Sequence, residues 1–133
     1  MINKDRLQEI HNIEFDPDKA NCWGSTLYVL GASKRPFWAS ERTINSFLRT
    51  NCKDLNSKKK PIGTIMVIRT SNGEILHTAV LAGTNKWWHK PGQMYARYAS
   101  IKDIFRMYVK YGAEKIEYKI YTSKRKSSSL RKS

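Results

Sequence analysis

Apolar positions along the chain follow two rules. Up to residue 50 they recur at helical spacing, and from residue 63 onward they run together or alternate as in strands. Leu7, Ile10 and Ile13 mark an amphipathic helix over 3–13, and Phe15-Asp16-Pro17-Asp18 reads as a turn. Asn21 suits an N-cap, so Cys22 takes the first helical position, with Leu27, Tyr28 and Leu30 leading inward and Gly31 as the stop. A second helix starts near Ser40 and carries Ile44, Phe47 and Leu48 on its buried stripe; residues 51–60 read as a polar, lysine-rich loop. Ile65-Met66-Val67-Ile68 predicts a buried strand, and Ser71-Asn72-Gly73-Glu74 supplies an Asn-Gly hairpin turn. Residues 75–82 form the return strand, Gly83-Thr84-Asn85 turns again, and 86–89 give a third strand. Ser100 with Asp103 three residues on opens a helix bearing Ile101, Ile104, Phe105 and Tyr108, which stops at Gly112. Ile116, Tyr118 and Ile120 alternate in a last strand. Helices first, then an antiparallel sheet with one late helix, predict an α+β domain over 1–123.

Charge changes this picture. The 133 residues carry a formal charge of +14, from 25 Lys+Arg against 11 Asp+Glu. Residues 124–133 (KRKSSSLRKS) are a basic tail expected to be disordered, yet the body is basic too, which implies an anionic partner. That partner is an acidic peptide, a cell-wall polymer, nucleic acid or a membrane surface, with the tail and Lys58-Lys59-Lys60 offering nonspecific attraction to polyanions. The hydrophobic share of 40% suits a folded globule. No apolar run has the length of a membrane span, and MINKDRLQEIHNIEF lacks the apolar segment of a secretory signal. Cys22 and Cys52 are not expected to pair.

The candidate chemistry lies in Cys22, His77 and His89. A thiol at a helix start feels the helix dipole and free backbone N–H groups, and an imidazole can take its proton. Odd loop lengths around Gly83 put His77 and His89 on one sheet face. A loop centred on Gly83 makes them direct cross-strand partners, and one centred a residue later makes them diagonal neighbours. Cys22 and the two histidines could also hold zinc, but no fourth ligand stands at metal-site spacing, so no metal or other cofactor is expected. Trp23, Trp87 and Trp88 adjoin these residues and are candidates for flanking a substrate. Trp87 and Trp88 must face opposite ways, so one of them belongs to the core.

Several segments together resemble a family. Asn21-Cys22-Trp23-Gly24 followed by Ser-Thr-Leu-Tyr resembles the Asp-Cys-Ser-Gly helix start of NlpC-type cell-wall cysteine peptidases, which have a papain-like fold. Residues 61–67 (PIGTIMV) are similar to their Pro-Gly-Asp-Leu-Val strand, and 76–83 (LHTAVLAG) to their His-Val-Gly-Ile-Tyr-Ile-Gly strand. The resemblance spans about residues 20–92. It implies Cys22 as nucleophile, His77 as general base and His89 as the orienting third member. The implied reaction is hydrolysis of an amide bond in peptidoglycan stem peptides through a thioester, at an extracytoplasmic location. Asn21 stands for the usual acid, Trp23 for the usual serine and Thr64 for the usual aspartate, and the family's upstream tyrosine has no clear counterpart. Two other classes stay open. One is a thiol acyltransferase, deamidase or toxin acting on another protein. The other is a noncatalytic nucleic-acid-binding module using the net charge with Trp87, Trp88, Tyr95 and Tyr98.

Overall fold

Residues 2–122 are described in the computed structural model; the basic stretch 124–133 lies outside them. Helices α1 (Lys4–His11), α2 (Cys22–Val29) and α3 (Glu41–Thr50) come first, with a single 3-10 turn at Pro17–Lys19 ahead of α2. Strands β1 (Cys52–Asp54), β2 (Ile65–Thr70), β3 (Ile75–Gly83), β4 (Lys86–His89) and β5 (Arg97–Ala99) follow, then α4 (Ile101–Tyr108) and β6 (Ala113–Tyr121). The strands form one sheet in the order β1-β6-β2-β3-β4-β5, and every neighbouring pair is antiparallel. The domain is therefore α+β. No helix among the described residues is long and apolar enough to cross a membrane.

The unbroken apolar run of β2 has a direct cause: the sheet is covered on both sides. Ile65 and Val67 face the side packed by Leu7, Ile10, Leu27, Val29, Ile44 and Leu48 from α1, α2 and α3. Met66 and Ile68 face the other side, where Ile104 of α4 is buried and Ile101, Phe105 and Tyr108 pack beside it. Both helix stripes and the Ser40 and Ser100 caps stand where the sequence predicts, with each serine Oγ accepting from the backbone N–H three residues on.

Three expectations change. Helix α1 ends at His11, so Ile13 lies beyond it and is 82% exposed instead of packed. Part of the stretch read as a loop is β1, whose polar residues find backbone partners on β6: Cys52 pairs with Tyr121 and Asp54 with Lys119. An extra edge strand, β5, pairs with β4, Trp88 lying opposite Tyr98. Neither short strand carries an apolar pattern, because each is held by its ladder and not by burial of alternate side chains.

The start of α2 is fixed by a side-chain amide. Asn21 Oδ1 accepts from the N–H groups of Gly24 at 2.8 Å and Ala39 at 3.1 Å, while Nδ2 donates to the Ala39 carbonyl at 2.8 Å. This explains asparagine at position 21: a carboxylate would turn a lone pair onto the Ala39 carbonyl. Gly24 is required for a second reason, since a Cβ there would fall onto the Phe37 carbonyl. Asn21→Asp is expected to cost about 1–3 kcal/mol from the unmatched acceptor pair. Gly24→Ala should cost at least as much, on the order of 1–3 kcal/mol, through backbone overpacking. Denaturant titration of both variants checks this; wild-type stability in either would contradict the packing described.

Candidate active site

Two hydroxyls pin α2 to the sheet. Thr78 Oγ1 lies 2.8 Å from Thr26 Oγ1 and donates to the Cys22 carbonyl at 3.4 Å. Because Thr78 spends its proton on Cys22, Thr26 is the donor between the two threonines. The clamp sets the first turn of α2 beside Thr78, and the backbone N–H groups of Thr78, Trp23 and Cys22 favour the anionic form of the thiol. Cys22 thus lies beside Thr78 on the α2 side of β3, whereas His77 faces α4, and among the described residues no hydrogen bond joins the thiol to either histidine. It is 9% exposed, and Cys52 is half-buried; neither cysteine forms a disulfide.

His77 and His89 meet as diagonal neighbours. Val80 pairs with Trp88 and Leu81 with Trp87, so the hairpin is centred on Thr84, the second of the two expected geometries. His77 Nε2 lies 2.8 Å from His89 Nδ1 with the rings edge to face. A side chain not singled out in the sequence completes the group. The Tyr108 hydroxyl, at the end of α4, lies 3.0 Å from His77 Nδ1, and its ring stacks on the imidazole at 4.4 Å between centroids.

Proton bookkeeping orders this chain. If Tyr108 donates to Nδ1, then His77 Nε2–H donates to His89 Nδ1 and one polar atom, His89 Nε2, stays unpartnered. The reverse order would also strand the Tyr108 hydroxyl proton. The first arrangement leaves the His77 lone pair on Nδ1, the nitrogen turned away from His89.

Burial dominates the electrostatics. His77 is 0% exposed, and desolvation followed by the neighbouring His89 holds its pKa well below the ordinary value. Burial, then the Arg97 charge, brings His89 down to about 4. Burial pushes the Cys22 thiol up to about 12, against the pull of the three backbone N–H groups and of the Lys90 ammonium. Tyr108 is raised too, chiefly by burial, so its hydroxyl stays a donor. At neutral pH the resting site is uncharged at both sulfur and imidazole. The helix-start effect expected to favour the thiolate is outweighed by loss of water.

The tryptophans divide differently from expectation. Trp87 is sealed in the α4-side core and Trp88 in the core under α1, α2 and α3, so alternation holds but neither ring walls a groove. The Trp88 indole N–H is instead spent on His11 Nδ1 at 3.3 Å. Trp23 is half-buried against the helical core, its Nε1 buried without a partner among the described residues. Thr64 is buried and donates to the Pro61 carbonyl at 2.6 Å. Beside the histidines opens a cleft of about 700 Å³ lined by Leu76, Pro91, Met94, Met107, Tyr108 and Tyr111. Tyr108 is the wall between this cleft and His77. It was missed because Tyr108 sits on the apolar stripe of α4 and reads there as core.

No family model and no curated protein matches the chain. Among solved structures, a protein similar to a lipoprotein of the NLP/P60 family from Staphylococcus aureus aligns with 85% of this chain, at 9% identity and a TM-score of 0.49. The chain covers 41% of that protein's length.

The depressed histidines have a consequence for stability. An imidazole whose folded pKa lies below its unfolded value binds fewer protons when folded. Stability is therefore full above about 6.5, falls as pH drops toward about 4, and then levels off. For His89 this window is worth on the order of 3 kcal/mol. Urea unfolding between about pH 7.5 and 4.5 should lose that stability in wild type and lose much less in His77→Gln/His89→Gln. An equal loss in both would show that other groups carry the acid response.

Proposed function

We propose that the chain is a cysteine hydrolase of papain-like, NlpC-type architecture that cleaves an amide bond in peptidoglycan stem peptides. The observation that carries this reading is the Cys22 carbonyl held by the Thr78 hydroxyl at 3.4 Å, with Thr78 next in the chain to an imidazole that lies 2.8 Å from His89. A thiol, a base and an orienting partner are the minimum set for acyl transfer.

In this mechanism the acyl carbonyl enters along the cleft beside Tyr108. The Cys22 sulfur attacks the carbonyl carbon as its proton passes to His77 Nδ1, which the Tyr108 hydroxyl must first release, and the carbonyl π pair moves onto oxygen. Transfer concerted with attack suits a pair that is neutral at rest, since a free thiolate never accumulates in the dry site. The backbone N–H groups of Cys22 and Trp23, at the open start of α2, receive the oxyanion. His77 returns the proton to the leaving amine, giving the thioester. Water then attacks with His77 as base, and the free acid and thiol are restored. His89 accepts from His77 Nε2–H throughout, so Nδ1 is the nitrogen that takes and returns the proton. The net charge of +14 draws an anionic wall polymer toward the protein.

Digestion of purified peptidoglycan, with fragments read by mass, tests the proposal. Wild type should release peptide fragments, Cys22→Ala none, and His77→Ala about 10²–10⁴-fold fewer. Identical fragments from wild type and Cys22→Ala would remove the hydrolase reading. Nucleic-acid retention that falls steeply with salt and is unchanged in Cys22→Ala would favour a binding module instead.

A further inference from the structure

The hydrogen-bond chain that ends at His89 begins at a hydroxyl which the thiol mechanism sets aside. Tyr108 is the last residue of α4, and it lines the cleft of about 700 Å³ together with Leu76, Pro91, Met94, Met107 and Tyr111. Its hydroxyl lies 3.0 Å from His77 Nδ1, and His77 Nε2 lies 2.8 Å from His89 Nδ1. Both separations fall in the range for a nucleophile on its base and for a base on its orienting partner. The phenol ring stacks on the imidazole with 21° between the planes, which fixes the two groups against each other.

Other tyrosines supply the contrast. Tyr95 and Tyr111 are 51% and 60% exposed, and neither hydroxyl meets a histidine among the described residues. Tyr98 stands against the His11 ring at 5.1 Å between centroids, with no hydrogen bond between the two. Tyr108 alone of these combines a base on its hydroxyl, a second imidazole behind that base, and an apolar cleft at its side. A tyrosine that only satisfied a buried imidazole would need neither the cleft nor the second histidine. Burial keeps the phenol protonated at rest, so proton transfer has to accompany any attack it makes.

We propose that Tyr108 is a second nucleophile, with His77 as base and His89 as orienting partner, which accepts the acyl group of an activated ester whose apolar acyl chain lies in the cleft. This goes beyond the thiol reaction: it shares both imidazoles but not Cys22, and it proceeds while the hydroxyl stays on Nδ1. The phenol oxygen attacks the acyl carbon, its proton passes to His77 Nδ1, and the carbonyl π pair moves onto oxygen. Collapse of the adduct breaks the bond to the leaving oxygen, which departs with the proton from His77 and leaves an aryl ester on Tyr108. Water then attacks that ester and gives a proton to His77, and the phenol oxygen takes the proton back as the free acid is released. An amine leaves far less readily than a phenol oxygen, so activated esters and not amides are the donors for this hydroxyl.

Acylation by p-nitrophenyl hexanoate tests the assignment in a Cys22→Ala/Cys52→Ser background, where no thiol competes. After an acid quench, peptide mapping by mass should find hexanoyl on Tyr108 roughly tenfold or more ahead of Tyr95 and Tyr111, despite their greater exposure. Tyr108→Phe, which keeps the ring, should lose that label with its share of p-nitrophenol release, and His77→Gln should slow it about 10²-fold. Hexanoate should outrun acetate at Tyr108 by about tenfold, because the cleft takes up the added methylenes, and show no such lead at Tyr111. Labelling of Tyr108 no faster than Tyr111, or unchanged in folded His77→Gln, overturns the proposal; equal rates for the two esters overturn the place given to the acyl chain. Where His77→Gln does not fold, the Tyr108 to Tyr111 ratio in the cysteine-free protein decides. Peptidoglycan fragments from wild type with Tyr108 unlabelled would sink this proposal alone, and label without fragments would count against the hydrolase reading alone.

Discussion

Thr78 is where the two halves of the molecule are tied. Its hydroxyl accepts from Thr26 and donates to the Cys22 carbonyl, and its backbone N–H favours the anionic form of the Cys22 thiol. One residue thereby fixes the azimuth and the height of α2 over β3. Asn21 closes the other side of the same turn onto Ala39, and Gly24 allows the 37–39 segment to approach. These contacts are polar and buried, so each is worth more as a positional constraint than as net stability. Apolar packing could hold a helix on this sheet at several rotations; the hydrogen bonds select one.

Desolvation then decides what that placement can do. A helix start, three N–H groups and an ammonium all favour sulfur as an anion, yet exclusion of water keeps the thiol protonated at rest. The same exclusion keeps both imidazoles neutral. A charge that is absent in the ground state and surrounded by fixed donors is the condition under which preorganised dipoles lower a barrier most.

Much of the framework was legible in the sequence because its determinants are local. The caps at Asn21, Ser40 and Ser100, the stop at Gly31, where φ is +82°, and the Ile65–Ile68 run all act within a few residues. Same-face placement of His77 and His89 followed from the period of a strand, but the choice between direct and diagonal pairing rested on an irregularity between Leu81 and Gly83 that composition does not announce. Strands β1 and β5 were invisible since their residues are polar and their partners distant. Tyr108 was hidden by its own ordinariness: a tyrosine on a helix stripe reads as core. The Trp87-Trp88 pair misled in the opposite direction, because large aromatics beside a reactive group also serve as plain filling, and here both do.

The sheet order carries a consequence for the timing of assembly. The last strand among the described residues, β6, does not add to an edge but slots between β1 and β2, and Tyr108 comes only just before it. Until those segments leave the ribosome, β2 has an open side and the imidazole has no tyrosine against it. A nascent chain that lacks those segments therefore holds His77 without its tyrosine, so the imidazole reaches its enclosed state only once α4 has formed and β6 has taken its place in the sheet.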